Sequence, residues 1–137
     1  MEHLFVAFDH KKLEQISSLE LAYIGDAVYE LAVRRHLLAI GIVGSNRLHR
    51  EAVKYVCADT QAKVLHALEP SLSEKELAVA KRGRNAKSGH APRGACVTSY
   101  RYSTGLESLV GYLFLTGEYS RLQIMMEQVF KIIETSF

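Results

Sequence analysis

Leu19-Glu20-Leu21-Ala22-Tyr23-Ile24-Gly25-Asp26-Ala27-Val28-Tyr29-Glu30-Leu31 decides how the rest of the chain is read. Leu21, Ile24, Val28 and Leu31 recur at three- and four-residue steps, the spacing that gathers side chains on one face of an α-helix. One acid, Asp26, is set among them beside a glycine. Glycine inside a helix costs about 1 kcal/mol relative to alanine, so Gly25 points to close approach by another backbone or a ligand. The plain reading is a tight helix crossing with Asp26 on the solvent side. The sharper reading makes Asp26 a working group.

Residues on either side extend the helical pattern from about Leu13 to Ile40. A break is expected near Ser17-Ser18, where either serine suits the cap of the Asp26 helix. Gly41 and Gly44 close it, and Ser45 is the candidate N-cap of the next helical segment. Leu48, Ala52, Val53, Val56, Cys57, Ala62, Val64, Leu65 and Leu68 supply the apolar stripe of one bent helix or two short ones, stopped by Pro70. Ser73 with Glu76 forms a capping-box pattern that opens a helix from about Glu74 to Arg82. Gly83 to Gly94 is dense in glycine and bases and predicts a loop, long for a helical domain and so of the kind that is either functional or disordered. Helix returns at about Ser103, where Leu106, Leu109, Val110, Leu113 and Phe114 make an apolar face carrying Glu107. A last helix runs from about Tyr119 to Glu134. No stretch alternates with the two-residue period of a strand, and no repeat is present, so one all-α domain is expected over residues 1–137.

Composition narrows the function classes. With 48% hydrophobic and 23% charged residues the chain resembles an ordinary globular protein. Its longest apolar runs, such as Val110 to Leu115, are far short of the roughly 20 residues needed to cross a bilayer. The opening Met1-Glu2-His3-Leu4 lacks the basic and long apolar regions of a secretory signal, so a cytoplasmic location without membrane partners is expected. Cys57 and Cys96 are too few for a disulfide framework and are expected as thiols. Net charge is +2, but Lys81, Arg82, Arg84, Lys87, Arg93 and Arg101 fall in a segment without Asp or Glu. That segment carries +6 and leaves −4 for the remainder, which concentrates positive charge where a polyanion can meet it.

Several chemistries lack support. Lys87-Ser88 follows Ala86 rather than glycine and no strand leads in, so this is no phosphate-binding P-loop. The six histidines, His3, His10, His36, His49, His66 and His90, include no pair at the four-residue spacing of a helical zinc site. No Gly-x-Ser-x-Gly elbow is present. The positive signals are two. Bases, glycines and the hydrogen-bonding Asn85, Ser88, Tyr100 and Tyr102 suit a nucleic-acid backbone. Two acids in apolar helices, Asp26 and Glu107, with that basic segment just upstream of one, fit a magnesium-dependent phosphodiesterase whose hard oxygen ligands hold the ion.

The same residues resemble a known family. Leu21-Ala22-Tyr23-Ile24-Gly25-Asp26-Ala27-Val28 is similar to the ribonuclease III nuclease motif Glu-Arg-Leu-Glu-Phe-Leu-Gly-Asp-Ala-Val. Thr104 to Gly111 is similar to its second motif, Asp-x-x-Glu-Ala-Leu-Ile-Gly. Lys81 to Ser88 and Tyr100 to Thr104 resemble the Lys-Arg-Gly-Arg-Asn-Ala-Lys-Ser and Tyr-Arg-Tyr-Ser-Thr runs of the Mini-ribonuclease III subfamily, which lacks the appended double-stranded-RNA-binding domain. The resemblance implies a helical nuclease domain that dimerises, cuts double-stranded RNA rather than DNA with Mg²⁺ (or Mn²⁺ in its place), and matures the precursor of large-subunit (23S) ribosomal RNA. It assigns Asp26 and Glu107 to metal binding and catalysis. Lys81, Arg82, Arg84, Asn85, Lys87, Ser88 and Arg101 fall to RNA contact, in and just ahead of a basic loop at about 83–101. Thr104 would orient water and Tyr23 would pack across the dimer interface. Ala22, Thr104 and Leu19 stand where the family pattern has further acids, so no four-carboxylate cage exists here. Those absences motivate the alternative of a catalytically silent RNA- or ribosome-binding protein. Glu30, one turn after Asp26, reads as a surface acid.

Overall fold

The computed structural model describes residues 3–86, 93–94 and 96–136. Seven α-helices are present among them: α1 (His10–Glu14), α2 (Ser18–Ala39), α3 (Ser45–Val56), α4 (Ala58–Leu68), α5 (Glu74–Asn85), α6 (Val97–Leu115) and α7 (Tyr119–Ser136). A 3-10 turn, Glu69–Ser71, places Pro70 in its first turn, where a missing N–H costs nothing. No strand occurs among the described residues, in agreement with the all-α expectation.

Local sequence sets the helix ends. Ser17 is the cap that α2 uses: its Oγ accepts from Glu20 N at 3.1 Å while Glu20 Oε1 accepts from Ser17 N at 2.9 Å. Ser73 and Glu76 repeat this box at the start of α5. The N-cap of α3 is Gly44 and Ser45 is already helical, so the helix begins one residue earlier than the sequence expectation. The 45–68 segment resolves into two helices because Cys57, with ψ 150°, breaks the backbone between them; both cysteines are free and exposed.

α6 is the hub, with α2, α4 and α5 packed most extensively against it. Its Leu106, Leu109, Val110 and Leu113 are buried with Val64, Leu65 and Leu68 of α4 and Met125 and Val129 of α7. The buried face of α2 is Ala22, Gly25, Tyr29, Val33 and Leu37. That corrects the stripe read from Leu21, Ile24, Val28 and Leu31: the first three are half-buried and Leu31 is exposed. The rotation results from how close α6 comes. A Cβ on Gly25 would stand 1.7 Å from the Glu107 carbonyl oxygen, and one on Gly111 would stand 2.0 Å from that of Leu21. Small residues must therefore face the partner, and the branched ones fall to the flanks. Ser108 Oγ donates to Ser18 O at 2.9 Å and ties the start of α2 to the same seam.

Two polar networks close the periphery. Tyr29, fully buried, donates to Tyr55 O at 2.7 Å, and Tyr55 Oη donates to Glu134 Oε2 at 2.7 Å. His36 Nε2 meets the same oxygen at 2.7 Å while its ring stacks on Phe130 at 4.0 Å, so α2, α3 and α7 share one junction. Arg121 of α7 grips Glu76 of α5 with both Nε and Nη2, at 2.7 and 3.0 Å.

The basic segment is more helical than its composition predicts. α5 runs on through Asn85 and α6 starts at Val97, so Arg84, Asn85 and Arg101 stand on helices rather than in a loop over 83–101. Gly83 does not end α5 because it is buried against Ser108 of α6, where only a residue without a side chain fits. Lys87 and Ser88 lie outside the described residues.

Candidate active site at the α2–α6 crossing

Asp26 comes directly after Gly25 in α2, and Glu107 lies in α6 at the point where Gly25 meets its carbonyl. The close crossing therefore brings together two acids that are 81 positions apart in sequence. Asp26 is exposed and Glu107 half-buried. The Glu107 carboxyl lies within hydrogen-bonding reach of Asp26. Burial first, and then the hydrogen bond and negative charge of Asp26, push the Glu107 carboxyl up to about 8. In the metal-free protein at neutral pH, Glu107 therefore holds a proton against Asp26. A cation between the two carboxylates would offset both the burial cost and their mutual repulsion.

Two further groups reach Glu107. Glu30, one turn beyond Asp26, adds negative charge that also raises Glu107, although its own carboxylate leans on Arg34 at 3.6 Å. It is closer to the site than a plain surface acid. Gln61 of α4 acts in the opposite sense and favours the ionised form of Glu107. Motif reasoning misses Gln61. Its signal is position: Gln61, Val64, Leu65 and Leu68 occupy steps 0, 3, 4 and 7 of one buried face, and only Gln61 is polar.

The remaining candidates are spread around this crossing. Lys81, Arg82 and Asn85 are exposed on α5, and Arg101 is exposed on α6. Arg84 is half-buried, its guanidinium 5.3 Å over the Tyr102 ring and Nη1 3.4 Å from Tyr102 Oη; Tyr102 in turn packs on His66 at 4.2 Å. Part of that cation's reach is committed to the protein. Thr104 is buried and donates its hydroxyl proton to Tyr100 O at 3.0 Å, which leaves its oxygen only accepting roles toward a water. Tyr23 is 84% exposed on the outer side of α2.

The profile of the ribonuclease III domain matches residues 19–118. The chain belongs to the ribonuclease III family. Within it, Mini-ribonuclease 3 proteins are close in sequence. That of Desulfitobacterium hafniense is 54% identical over 116 residues, covering 85% of this chain and 73% of the relative. That of Brevibacillus brevis is 49% identical over the same share of this chain and 87% of its own length. That of Clostridium tetani is 38% identical over 94% of this chain and 86% of the relative. A crystal structure of a Fusobacterium nucleatum protein superposes with a TM-score of 0.78 at 28% identity, covering 88% of this chain and 96% of the other. This chain is accordingly an endoribonuclease of the ribonuclease III type, of the Mini-ribonuclease 3 kind.

That family generally uses magnesium, and the residues present fit such an ion. Among the described residues no group of three or more His, Cys, Asp or Glu is arranged to hold a metal. Magnesium does not require one, since it keeps several waters and accepts one or two carboxylates together with substrate phosphates. Asp26 and Glu107, brought together at the α2–α6 crossing, would supply that pair.

Proposed function

We propose that this endoribonuclease hydrolyses double-stranded RNA in a magnesium-dependent reaction at the Asp26–Glu107 pair, acts as a homodimer in the cytoplasm, and matures the precursor of 23S ribosomal RNA. The observation that carries the chemistry is the meeting of those two acids at a backbone-to-backbone helix crossing. Bound there, Mg²⁺ would supply an activated water and neutralise charge on the phosphate. Asp26 and Glu107 would hold it, and Glu107 must first surrender its proton, so occupancy rises with pH through about 8. Thr104, with only an acceptor to offer, would take a hydrogen bond from a water beside Glu107.

Lys81, Arg82, Asn85 and Arg101 would hold the RNA backbone by shape, because the A-form major groove is too deep and narrow to be read by side chains; Arg84 would contribute the part of its guanidinium not engaged by Tyr102. Lys87 and Ser88 would extend that contact. Dimerisation is supported by an apolar stripe left exposed on α2: Tyr23, Ala27 and Leu31 recur every four residues, and such a stripe on a surface helix marks a contact face. The ribosomal RNA assignment and the duplex substrate rest on kinship with the Mini-ribonuclease 3 proteins. Among the described residues no helix is long and apolar enough to cross a membrane.

Incubation of the purified protein with a structured RNA duplex, with and without Mg²⁺, tests the reading. Wild type should cleave only with the cation, and Asp26→Asn should bind RNA without cutting it. Equal absence of cleavage in wild type and Asp26→Asn, with RNA still bound, would overturn it. A precursor spanning the 23S ends tests the natural substrate, and sedimentation of Tyr23→Arg against wild type tests the dimer.

A further inference from the structure

α4 delivers to the site a side chain that is neither charged nor an ordinary metal ligand. Gln61 is 2% exposed and heads a face whose other members are core. Its Nε2 is buried without a hydrogen-bond partner. A buried donor left unpaired is destabilising, and an apolar residue of similar length would avoid the penalty while filling the same space. The amide is carried by α4, which packs on α6, and it lies close to the Glu107 carboxyl without completing a hydrogen bond to it.

We propose that Gln61 is a positioning residue for Glu107: its Nε2–H donates to one oxygen of the Glu107 carboxylate and leaves the other for a divalent cation shared with Asp26. The inference rests on the metal-dependent reading of the site. It explains how two carboxylates can serve where Ala22 and Thr104 replace further acids of the family motif. Two ligands hold a cation well only if they are aimed, and partners that orient a ligand typically change metal affinity by about 10- to 100-fold.

Mn²⁺ titrated into RNA-free protein, followed by electron paramagnetic resonance of the free ion, reads the effect without any turnover. Wild type, Gln61→Leu and Gln61→Met are compared; both replacements fill the site and remove the orphaned donor. Without metal, both variants should melt at or above the wild-type temperature. Their Mn²⁺ dissociation constants should rise roughly 10-fold. On duplex RNA at limiting metal, kcat should fall by a similar factor with KM for RNA unchanged, and excess Mn²⁺ should recover most of the rate. A folded variant with wild-type Mn²⁺ affinity and kcat overturns the proposal. So does a large fall in the metal-free melting temperature of both variants, which would make Gln61 a packing element. If wild type itself neither binds Mn²⁺ nor cleaves RNA, the metal-dependent reading fails and takes this proposal with it; wild-type binding and cleavage with indifferent variants defeats the proposal alone.

Discussion

Replacing Gly25 by alanine should destabilise the protein, against the direction that helix propensity dictates. Alanine is favoured over glycine in a helix interior by about 1 kcal/mol, so at an uncrowded position the change would raise stability. Here the added methyl would sit 1.7 Å from the Glu107 carbonyl oxygen and 2.8 Å from Gly111 N, where ordinary contact begins near 3.4 Å. Both obstacles are main chain, so no rotamer change relieves them. α2 and α6 must part locally by roughly 1.7 Å, along the most extensive helix seam of the fold. A gap of about 0.5–1 Å already forfeits a quarter to a half of the dispersion energy between facing atoms, and overpacking typically costs about 1–3 kcal/mol. With backbone displacement as the only outlet, a loss of about 3 kcal/mol is expected, a large part of the ~5–15 kcal/mol by which domains are stable. Urea titration of the metal-free protein should show the midpoint falling with an unchanged slope, and the melting temperature should drop by roughly 10 °C. Activity should fall as well, because Asp26 moves with residue 25. A midpoint equal to or above that of wild type would refute the crossing geometry and, with it, the way the two acids are brought together.

Other consequences are open to measurement. Because burial and Asp26 raise Glu107 to about 8, the contribution of Glu107 to the stability of the metal-free protein is fully present below the ordinary carboxylate range and is lost as pH rises through about 8; Glu107→Gln should remove that loss. Its unfolding free energy from urea titration should match wild type near pH 4 and exceed it at pH 9 in the presence of a chelator, by at most about 5 kcal/mol at 1.36 kcal/mol per pH unit; parallel pH profiles would contradict this. Apparent Mg²⁺ affinity of wild type should weaken as pH falls below about 8, read by calorimetry in buffers of different ionisation heat, since each ion bound must release the Glu107 proton. Arg121→Met should cost about 1–3 kcal/mol at pH 7 through loss of the two-point grip on Glu76. The hydrogen bond to Arg121, with the Ser73 cap, holds Glu76 below its usual range despite its burial, so the deficit should shrink as acid protonates that carboxyl; a constant deficit would place the effect elsewhere. Lys81→Ala with Arg82→Ala should weaken RNA binding and reduce the slope of log K against log salt by about 2, while an unchanged slope would move the RNA contact to another face.

Much of this arrangement is legible in the residues, and the parts that are not have physical reasons. Ser17 with Glu20 and Ser73 with Glu76 announce their helix starts because capping is local chemistry. Gly25 beside Asp26 signals a close approach, and the approaching partner is the α6 backbone at Glu107. Which face of α2 turns inward is not readable from periodicity, which marks a broad apolar stripe while the separation from α6 selects the smallest residues within it. The helical character of Arg84, Asn85 and Arg101 is hidden for a related cause. Glycine and bases read as loop in isolation, yet Gly83 keeps its helical place by fitting against Ser108 across the seam. Gln61 shows the same limit at the site, because a lone amide on an apolar face acquires meaning only when Glu107 is placed opposite it.

The helical setting of the RNA-contact candidates bears on the entropy of association. Lys81, Arg82 and Asn85 project from α5 and Arg101 from α6, two helices packed on one another. Fixing a mobile backbone costs about 1–2 kcal/mol per residue, and none of that would fall on these positions if they receive a duplex. Arg101 and Glu107 share a single rod, six residues and so about 9 Å apart. With the proposed roles, grip and scission would be held in fixed register, and a kink introduced between them would let the protein hold RNA as tightly while presenting the wrong phosphate to the acids.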